Sequence, residues 1–217
     1  MFKKLASALI GNKNYYDTYP EYNKDRYSTL EKNFLRLSDT LMKFNEAPVA
    51  LFGQPGAGKS TLLYKITEGQ CNPKPIISQQ TDATDWSINP EVALMYSYTM
   101  KPKYKYFIDT PGYGTSRHPL SSYKYFPFEE MSRTIFIIRG KLLQTDEDMF
   151  SCLIYRGLSD KILIVRTLAE DLTEDERMKV KVDLNSKLRY KHLAIPLIFA
   201  SSRTGEGISS IQKWLWG

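Results

Sequence analysis

The octapeptide from Gly53 to Ser60 constrains the chain more than any other feature. It reads Gly-Gln-Pro-Gly-Ala-Gly-Lys-Ser and follows the apolar run Pro48–Phe52. Its glycines permit backbone conformations that a side chain would forbid, so successive N–H groups can converge on phosphate oxygens. The helical pattern over 61–66 would place those phosphates at a helix N-terminus, where unpaired donors and the helix dipole favour anions. Because the context is strand, loop and helix, nucleotide binding is favoured over an accidental glycine-rich turn.

Each residue of this segment, called here the phosphate loop (residues 53–60), receives a predicted role. Lys59 adds a positive charge near the terminal phosphates and is a predicted catalytic residue, and the Ser60 hydroxyl is a predicted Mg²⁺ ligand. The predicted nucleotide-binding residues of this region are Gly53, Gln54, Pro55, Gly56, Ala57, Gly58, Lys59, Ser60 and Thr61.

Length and composition predict one main domain. A chain of 217 residues, 42% of them hydrophobic, can bury the core of one α/β domain and leave about thirty to fifty residues over. We predict an N-terminal helical segment over 1–46 and a nucleotide-binding domain over 47–217. Cys71 and Cys152 lack metal-ligand spacing, so neither a zinc site nor a disulfide scaffold is expected, and a reducing cytoplasm is the predicted location.

The charge pattern predicts a mixed, solvated surface. The net charge is +6, but 30 basic residues are interleaved with 24 acidic ones, which argues against a dedicated nucleic-acid or lipid surface. Residues 1–11 combine lysines with an apolar stretch that is too short for export. Phe2, Leu5 and Leu9 would suit a peripheral membrane contact, although a frayed or self-packed terminus is favoured. No membrane-spanning helix is predicted.

Hydrophobic periodicity predicts the order of elements. Residues 22–44 read as an amphipathic helix that packs on the flank of the domain, with dimerisation or partner binding as the alternative, and residues 71–90 read as a long loop. Strands are predicted over 92–98, 104–109, 134–138, 161–165 and 196–200, and helices over 146–156, 174–188 and 208–216. With the strand before the phosphate loop, this alternation predicts a mostly parallel six-stranded sheet with helices on both faces and ligand at the carboxyl ends of the strands.

A second motif, Asp109-Thr110-Pro111-Gly112, ends one of these strands. Asp109 can hold Mg²⁺, usually through water, and Gly112 can offer its N–H to a γ-phosphate, so they are a predicted metal ligand and a predicted catalytic residue. Together with the phosphate loop, this motif resembles the translation-factor-related class of GTPases. The resemblance implies a P-loop GTPase fold, Mg²⁺ as cofactor, and GTP and GDP as substrate and product.

This class also uses a threonine of the first switch loop to complete Mg²⁺ coordination when GTP is bound. Thr84 is favoured as that metal ligand and catalytic residue, and Thr81 is the alternative. Either hydroxyl would equally serve as a turn cap.

The resemblance places the base-recognition motif at residues 167–171, Thr-Leu-Ala-Glu-Asp, where Asn/Thr-Lys-x-Asp is expected. Thr167 matches, Leu168 replaces the lysine whose stem normally covers the base, and Glu170 or Asp171 must supply the carboxylate. A misplaced carboxylate would erase about ten- to a hundredfold of guanine preference. Residues 200–202 resemble the final GTPase loop, in which a backbone N–H meets guanine O6, although an ordinary turn has the same pattern. The predicted base-site residues are Thr167, Glu170, Ala200, Ser201 and Ser202.

Within this class, residues 109–117, 140–146 and 165–167 look like the immunity-related GTPases and their bacterial relatives. That likeness implies a homodimer across the nucleotide face that accelerates hydrolysis. Tyr113 stands where some small GTPases place a water-orienting glutamine, so slow intrinsic hydrolysis is predicted. Arg117, His118 or a second copy would supply the missing group, although an exposed polar loop is the favoured role for 117–118.

Other functions remain open from the sequence. Core and interface packing explains the aromatic residues of 123–128 better than base stacking, and a dimer or effector surface is the preferred hypothesis for this region. RNA contact lacks a motif. A nucleotide-binding scaffold with little turnover or relaxed base specificity is the main alternative. An ATP-dependent kinase is disfavoured because it would leave the second motif unexplained.

Overall fold

A computed structural model describes residues 26–77, 85–90, 94–100 and 103–217. Both candidate switch threonines, Thr81 and Thr84, lie outside these residues, as does the predicted membrane contact at Phe2, Leu5 and Leu9.

Six strands form one sheet in the order β2-β3-β1-β4-β5-β6. Their bounds are β1 Val49–Gly53, β2 Tyr96–Met100, β3 Lys103–Asp109, β4 Arg133–Ile138, β5 Ile162–Arg166 and β6 Leu197–Phe199. All neighbouring pairs are parallel except β2 and β3. The predicted mostly parallel, six-stranded sheet is therefore confirmed.

Helices cover both faces of this sheet. Their bounds are α1 Thr29–Leu41, α2 Lys59–Ile66, α3 Gln144–Tyr155, α4 Glu174–Leu188 and α5 Ile208–Trp216. Alternate residues of β1 point to opposite faces: Leu51 joins the buried cluster that contains α2 and α5, and Phe52 joins the cluster that contains α1, α3 and α4. Burial on both faces explains why the strands read as nearly continuous apolar runs.

Helix α1 lies inside the predicted helix over 22–44, of which residues 22–25 are outside the described part of the chain. Ser28 begins it with a capping box: the Ser28 hydroxyl accepts from the Glu31 N–H at 3.3 Å, and the Glu31 carboxylate accepts from the Ser28 N–H at 3.0 Å. This reciprocal pairing satisfies donors that the first helical turn leaves open. The apolar stripe of α1 is buried in the same cluster as one face of the sheet. The division into 1–46 and 47–217 stays a prediction.

The predicted bounds of the other elements are correct or shifted by a few residues. Helices α4 and α5 have the predicted bounds, while the strand predicted over 92–98 is β2 over Tyr96–Met100. Within the described ranges, four short 3-10 helices were not predicted, at Leu120–Tyr125, Phe128–Glu130, Ser159–Lys161 and Ala169–Asp171. Such single turns lack the repeated periodicity from which longer helices are recognised. None of the helices in the described ranges has both the length and the apolar character needed to cross a bilayer.

Candidate nucleotide-binding site

The phosphate loop connects the carboxyl end of β1 to the first turn of α2. Gly58 directly precedes α2 with a φ of +93°, a conformation that glycine adopts at little cost. The loop therefore delivers the open N–H groups of the first turn of α2 to its concave side, as the sequence predicts.

Lys59 is folded against this loop. Its ammonium donates to the carbonyl oxygens of Gly53 at 2.9 Å and Gln54 at 3.1 Å, which leaves a third proton for a phosphate oxygen. The side chain is buried, and burial lowers its pKa to about 8 although nearby Asp109 opposes the shift. A bound anion would favour the charged form and so reverse this effect of burial.

The two predicted Mg²⁺ ligands lie together at the ends of neighbouring strands. Ser60 Oγ donates to Asp109 Oδ2 at 2.5 Å, and Asp109 is paired in register with Leu51 of β1. Mg²⁺ prefers oxygen ligands and is usually held by one or two carboxylates together with substrate phosphates and water. This hydroxyl and carboxylate fit that requirement. Elsewhere in the described part of the chain, no group of three or more His, Cys, Asp or Glu side chains could hold a metal.

The Asp-Thr-Pro-Gly turn presses directly against the phosphate loop. A Cβ on Gly112 would lie 2.4 Å from the backbone nitrogen of Pro55, so only glycine fits there. Two hydroxyls fix the turn: Thr110 Oγ1 donates to Leu51 O at 2.6 Å, and Tyr123 Oη donates to Pro111 O at 2.6 Å. The turn that the sequence assigns to γ-phosphate sensing is thus seated on the loop that would hold the phosphates.

The aromatic residues after this turn belong to the core. Tyr123, Phe126 and Phe128 are fully buried beside Phe52, so these three rings belong to the core, and a dimer or effector surface in this region stays a prediction. Their packing against the sheet, rather than an exposed face, accounts for the aromatic cluster.

Tyr113 also points into the core. Its hydroxyl donates to Asp146 Oδ1 at 2.7 Å, and Asp146 Oδ2 accepts from the Leu143 N–H at 2.9 Å at the start of α3. Burial and the neighbouring Asp146 raise the pKa of Tyr113 well above its usual value, so the hydroxyl stays a proton donor. Tyr113 therefore anchors the segment directly after the Asp-Thr-Pro-Gly turn to α3, a role that the sequence did not indicate.

Asp85 connects the end of the predicted first switch loop to residues 117–118, which follow the Asp-Thr-Pro-Gly turn, and sequence reasoning did not identify it. Its carboxylate lies 3.0 Å from Arg117 Nη1 and 3.0 Å from His118 Nε2. Burial opposes ionisation, but hydrogen bonds from Ser87 and the charge of His118 lower the pKa of Asp85. His118 is fully buried, so the expected exposed loop is wrong for that residue. The sequence feature that could have pointed to Asp85 is its place directly after Thr84, the favoured switch threonine.

Thr167 joins the predicted base site to the phosphate loop. Its Oγ1 donates to Ala57 O at 3.0 Å, and its N–H donates to Ile138 O at 3.0 Å. Of the two candidate carboxylates, the Glu170 side chain is 11% exposed and that of Asp171 is 57% exposed. A hydrogen bond from Ser201 lowers the pKa of Glu170. Glu170 thus lies between the two base loops, and Asp171 faces solvent.

The second predicted base loop, residues 200–202, is held in place by a local hydrogen bond and by a side chain of α4. Ala200 and Ser201 are buried, and Ser201 Oγ accepts from the Thr204 N–H at 3.0 Å. Arg177 of α4 binds both carboxylate oxygens of Glu206, at 2.6 and 2.9 Å, and donates to Ala169 O at 2.9 Å. No local pattern in the sequence predicts this clamp, because its three members come from separate elements.

The phosphate loop joins β1 to α2, the Asp109 carboxylate ends the adjacent strand β3, and two further loops follow β5 and β6. Together these features define a P-loop GTPase. Comparison with known families agrees: residues 48–168 match the family described as 50S ribosome-binding GTPase. This match covers more than half of the chain, which therefore belongs to that GTPase family and is a nucleotide-binding protein. No curated protein matches the chain.

Solved structures share the fold at low sequence identity. Era of Aquifex aeolicus, crystallised with GDP and AlF₄⁻, is 18% identical, with a TM-score of 0.57 over 77% of this chain and 55% of that chain. A dimerization-deficient Toc33 from Arabidopsis thaliana is 17% identical, with a TM-score of 0.54 over 91% and 92% of the two chains. A probable GTP-binding protein, EngB, is 15% identical, with a TM-score of 0.55 over 78% and 97%. The chain spans about half the length of Era, and these likenesses concern the fold.

Proposed function

We propose that this protein binds GTP with Mg²⁺, hydrolyses it slowly to GDP and phosphate, and acts as a nucleotide-dependent switch. The observation that carries this proposal is the 2.5 Å contact between Ser60 Oγ and Asp109 Oδ2, with the ammonium of Lys59 in the adjoining phosphate loop. A hydroxyl, a carboxylate and an ammonium around one set of backbone donors suit a metal-chelated triphosphate.

In the reaction, water attacks the γ-phosphorus and the bond to the β,γ-bridging oxygen breaks. Lys59 and the phosphate-loop N–H groups stabilise the charge that develops on the bridging and γ-phosphate oxygens, and the Gly112 N–H binds a γ-phosphate oxygen. Ser60 and Asp109 would hold Mg²⁺, which neutralises charge on the β- and γ-phosphates, and Thr84 or Thr81 is proposed as the further ligand.

The slow rate follows from the orientation of Tyr113. Its side chain is buried and bonded to Asp146, so it does not reach the water that attacks the γ-phosphate. A group from elsewhere is required, and we propose that a second copy supplies it by association across the nucleotide face. A supplied arginine accelerates hydrolysis by about 10³ to 10⁵. Arg117, which is paired with Asp85 but keeps 57% of its side chain exposed, is a candidate for such a role.

Guanine is the proposed base. Glu170 would accept from guanine N1 and N2, Thr167 would hold the base loop on the phosphate loop, and the backbone of residues 200–202 would donate to O6. The alternative is a scaffold with little turnover or relaxed base specificity, which the departures from the expected base motif favour. We also propose that the protein is related to the immunity-related GTPases, that it acts on an effector protein and that it is located in the cytoplasm. Contact with RNA or with a membrane has no supporting observation.

Two measurements test this function. Calorimetric titration with GTP, GDP and ATP, with and without Mg²⁺, measures base and metal dependence, and Lys59→Ala serves as the variant that should lose binding. Phosphate release is then followed over a range of protein concentrations. Equal ATP and GTP affinities would overturn guanine specificity, absence of release at every concentration would favour the scaffold, and turnover that rises faster than linearly would support self-association.

A further inference from the structure

Arg139, the residue after β4, is bound to the phosphate loop. Its Nη1 donates to Gly56 O at 3.0 Å, and the residue is otherwise exposed. Among the residues that the structure describes, no carboxylate lies within ion-pair distance of Arg139. A guanidinium that forms no ion pair with the described residues therefore stands on the rim of the candidate site.

Its position is at the base end of the phosphate loop. The carbonyl of Gly56 accepts from Arg139, and the next carbonyl, of Ala57, accepts from Thr167 at 3.0 Å. Lys59 instead binds the carbonyls of Gly53 and Gln54 at the start of the loop. Arg139 thus shares its end of the loop with the base-recognition motif, away from the terminal phosphates.

The base motif lacks a side chain that could fill this position. Leu168 follows Thr167 with a φ of +55°, and its alkyl side chain cannot donate to the loop. A second guanidinium, Arg166, donates to Thr167 O, and its pKa is lowered by burial and by the neighbouring charge of Arg139, although the charge of Asp171 opposes the shift. The two positive charges of Arg139 and Arg166 repel each other less unfavourably when one of them lies against an electron-rich ligand.

We propose that Arg139 replaces the lysine missing from the base motif and covers one face of the bound guanine. A guanidinium is planar and carries five N–H donors, so it can stack on an aromatic ring while it keeps its bond to Gly56 O. This inference rests on the proposed function, because it requires a guanine nucleotide in the site. It assigns base binding to a residue from the end of β4, outside the base motif.

The test compares Arg139→Leu with wild type by calorimetry, using GDP, GTP and tripolyphosphate as ligands. We expect the variant to bind GDP and GTP about tenfold more weakly, by the same factor for both, and tripolyphosphate as wild type does. A larger loss for GTP than for GDP, or weaker tripolyphosphate binding, would assign Arg139 to the phosphates or to loop geometry and overturn the inference. Lys141→Leu, which removes a charge from an exposed neighbour, is the matched control and should bind all three ligands normally.

A rescue experiment adds a second, independent readout. Leu168→Lys introduced into Arg139→Leu should recover most of the lost GDP affinity, because it returns a cationic stem to the base motif; no recovery would count against the replacement. If Arg139→Leu unfolds at a lower temperature than wild type, Arg139→Gln decides, since its amide can still donate to Gly56 O. If Arg139→Gln then binds GDP as tightly as wild type does, the proposal that Arg139 covers the base is overturned. Failure of wild type itself to bind GDP would refute the proposed function instead.

Discussion

Asn33 of α1 donates from its side-chain amide to the backbone carbonyl of Trp86 at 2.7 Å, and to that of Asn89 at 2.9 Å. Both carbonyls belong to the segment that follows the predicted first switch loop. The next residue, Phe34, packs against Tyr123 with ring centroids 4.9 Å apart, and Tyr123 donates to the carbonyl of Pro111 in the Asp-Thr-Pro-Gly turn. Helix α1 therefore supports both regions that would respond to the γ-phosphate.

Substitution of Asn33 by Leu should destabilise the protein by about 1 to 3 kcal/mol. The change keeps the side-chain volume but removes the donor to the buried carbonyl of Trp86, and an unsatisfied buried group costs about 1 to 3 kcal/mol. Urea unfolding measures the loss. Lys32→Ala, on the exposed side of the same helix, should change stability by less than about 0.5 kcal/mol, and an equal loss in both variants would contradict the role of Asn33.

Tyr113→Phe should lower stability by about 1 to 3 kcal/mol while leaving GTP turnover per folded molecule unchanged. The buried carboxylate of Asp146 loses a donor, whereas the attacking water loses nothing because the hydroxyl faces the core. Thermal unfolding and phosphate release provide the two readouts. Tyr155→Phe, at an exposed tyrosine, is the control. A tenfold slower reaction at unchanged stability would show that Tyr113 acts in hydrolysis.

Lys59 should make stability depend on alkaline pH. Its pKa of about 8 in the folded protein lies below the value of about 10.4 in an unfolded chain. Between these values the unfolded chain holds more protons, so stability rises with pH, and below about 8 both states are protonated and this contribution is constant. The difference in unfolding free energy between wild type and Lys59→Met should therefore shift in favour of wild type from pH 8 to pH 10, by at most about 3 kcal/mol. Parallel pH profiles would contradict the lowered pKa.

Gly112→Ala should weaken GTP binding more than GDP binding. A methyl group has no space against Pro55, so the turn must move away from the phosphate loop and its N–H can no longer reach a γ-phosphate. Calorimetry with GDP and a non-hydrolysable GTP analogue measures the difference, which we expect to be about tenfold or more. Ser116→Ala, at an exposed position nearby, should bind both ligands normally. An equal loss of both would show that Gly112 has no part in sensing the third phosphate.

Glu170→Gln and Asp171→Asn separate the two candidate base carboxylates. Glu170 is enclosed by Ser201 and Arg203, whereas Asp171 is mostly exposed. Loss of a charged acceptor costs about 1.5 to 3 kcal/mol, so Glu170→Gln should reduce the preference for GDP over ADP by about ten- to a hundredfold, and Asp171→Asn should leave it within about twofold. Competition binding with the two nucleotides measures the ratio. The reverse ranking would move base recognition to Asp171.

Motifs that impose a local backbone shape could be recognised without the structure. The phosphate loop, Gly112 and the alternation of strands and helices are of this kind, since glycine positions and hydrophobic periodicity report local geometry directly. The proximity of Ser60 and Asp109 also followed, because the carboxyl ends of adjacent parallel strands meet at one edge of a sheet.

Packing between distant segments decided the remainder. The bond from Asn33 to Trp86 joins residues 53 positions apart, and that from Arg139 to Gly56 joins residues 83 positions apart. A side chain's hydrogen-bonding capacity is visible in its residue type, but its partner depends on which loops the folded sheet and helices bring within about 3 Å of it. For that reason the nucleotide site could be proposed from local patterns, while the roles of Tyr113, Asp85 and helix α1 emerged only from the three-dimensional arrangement.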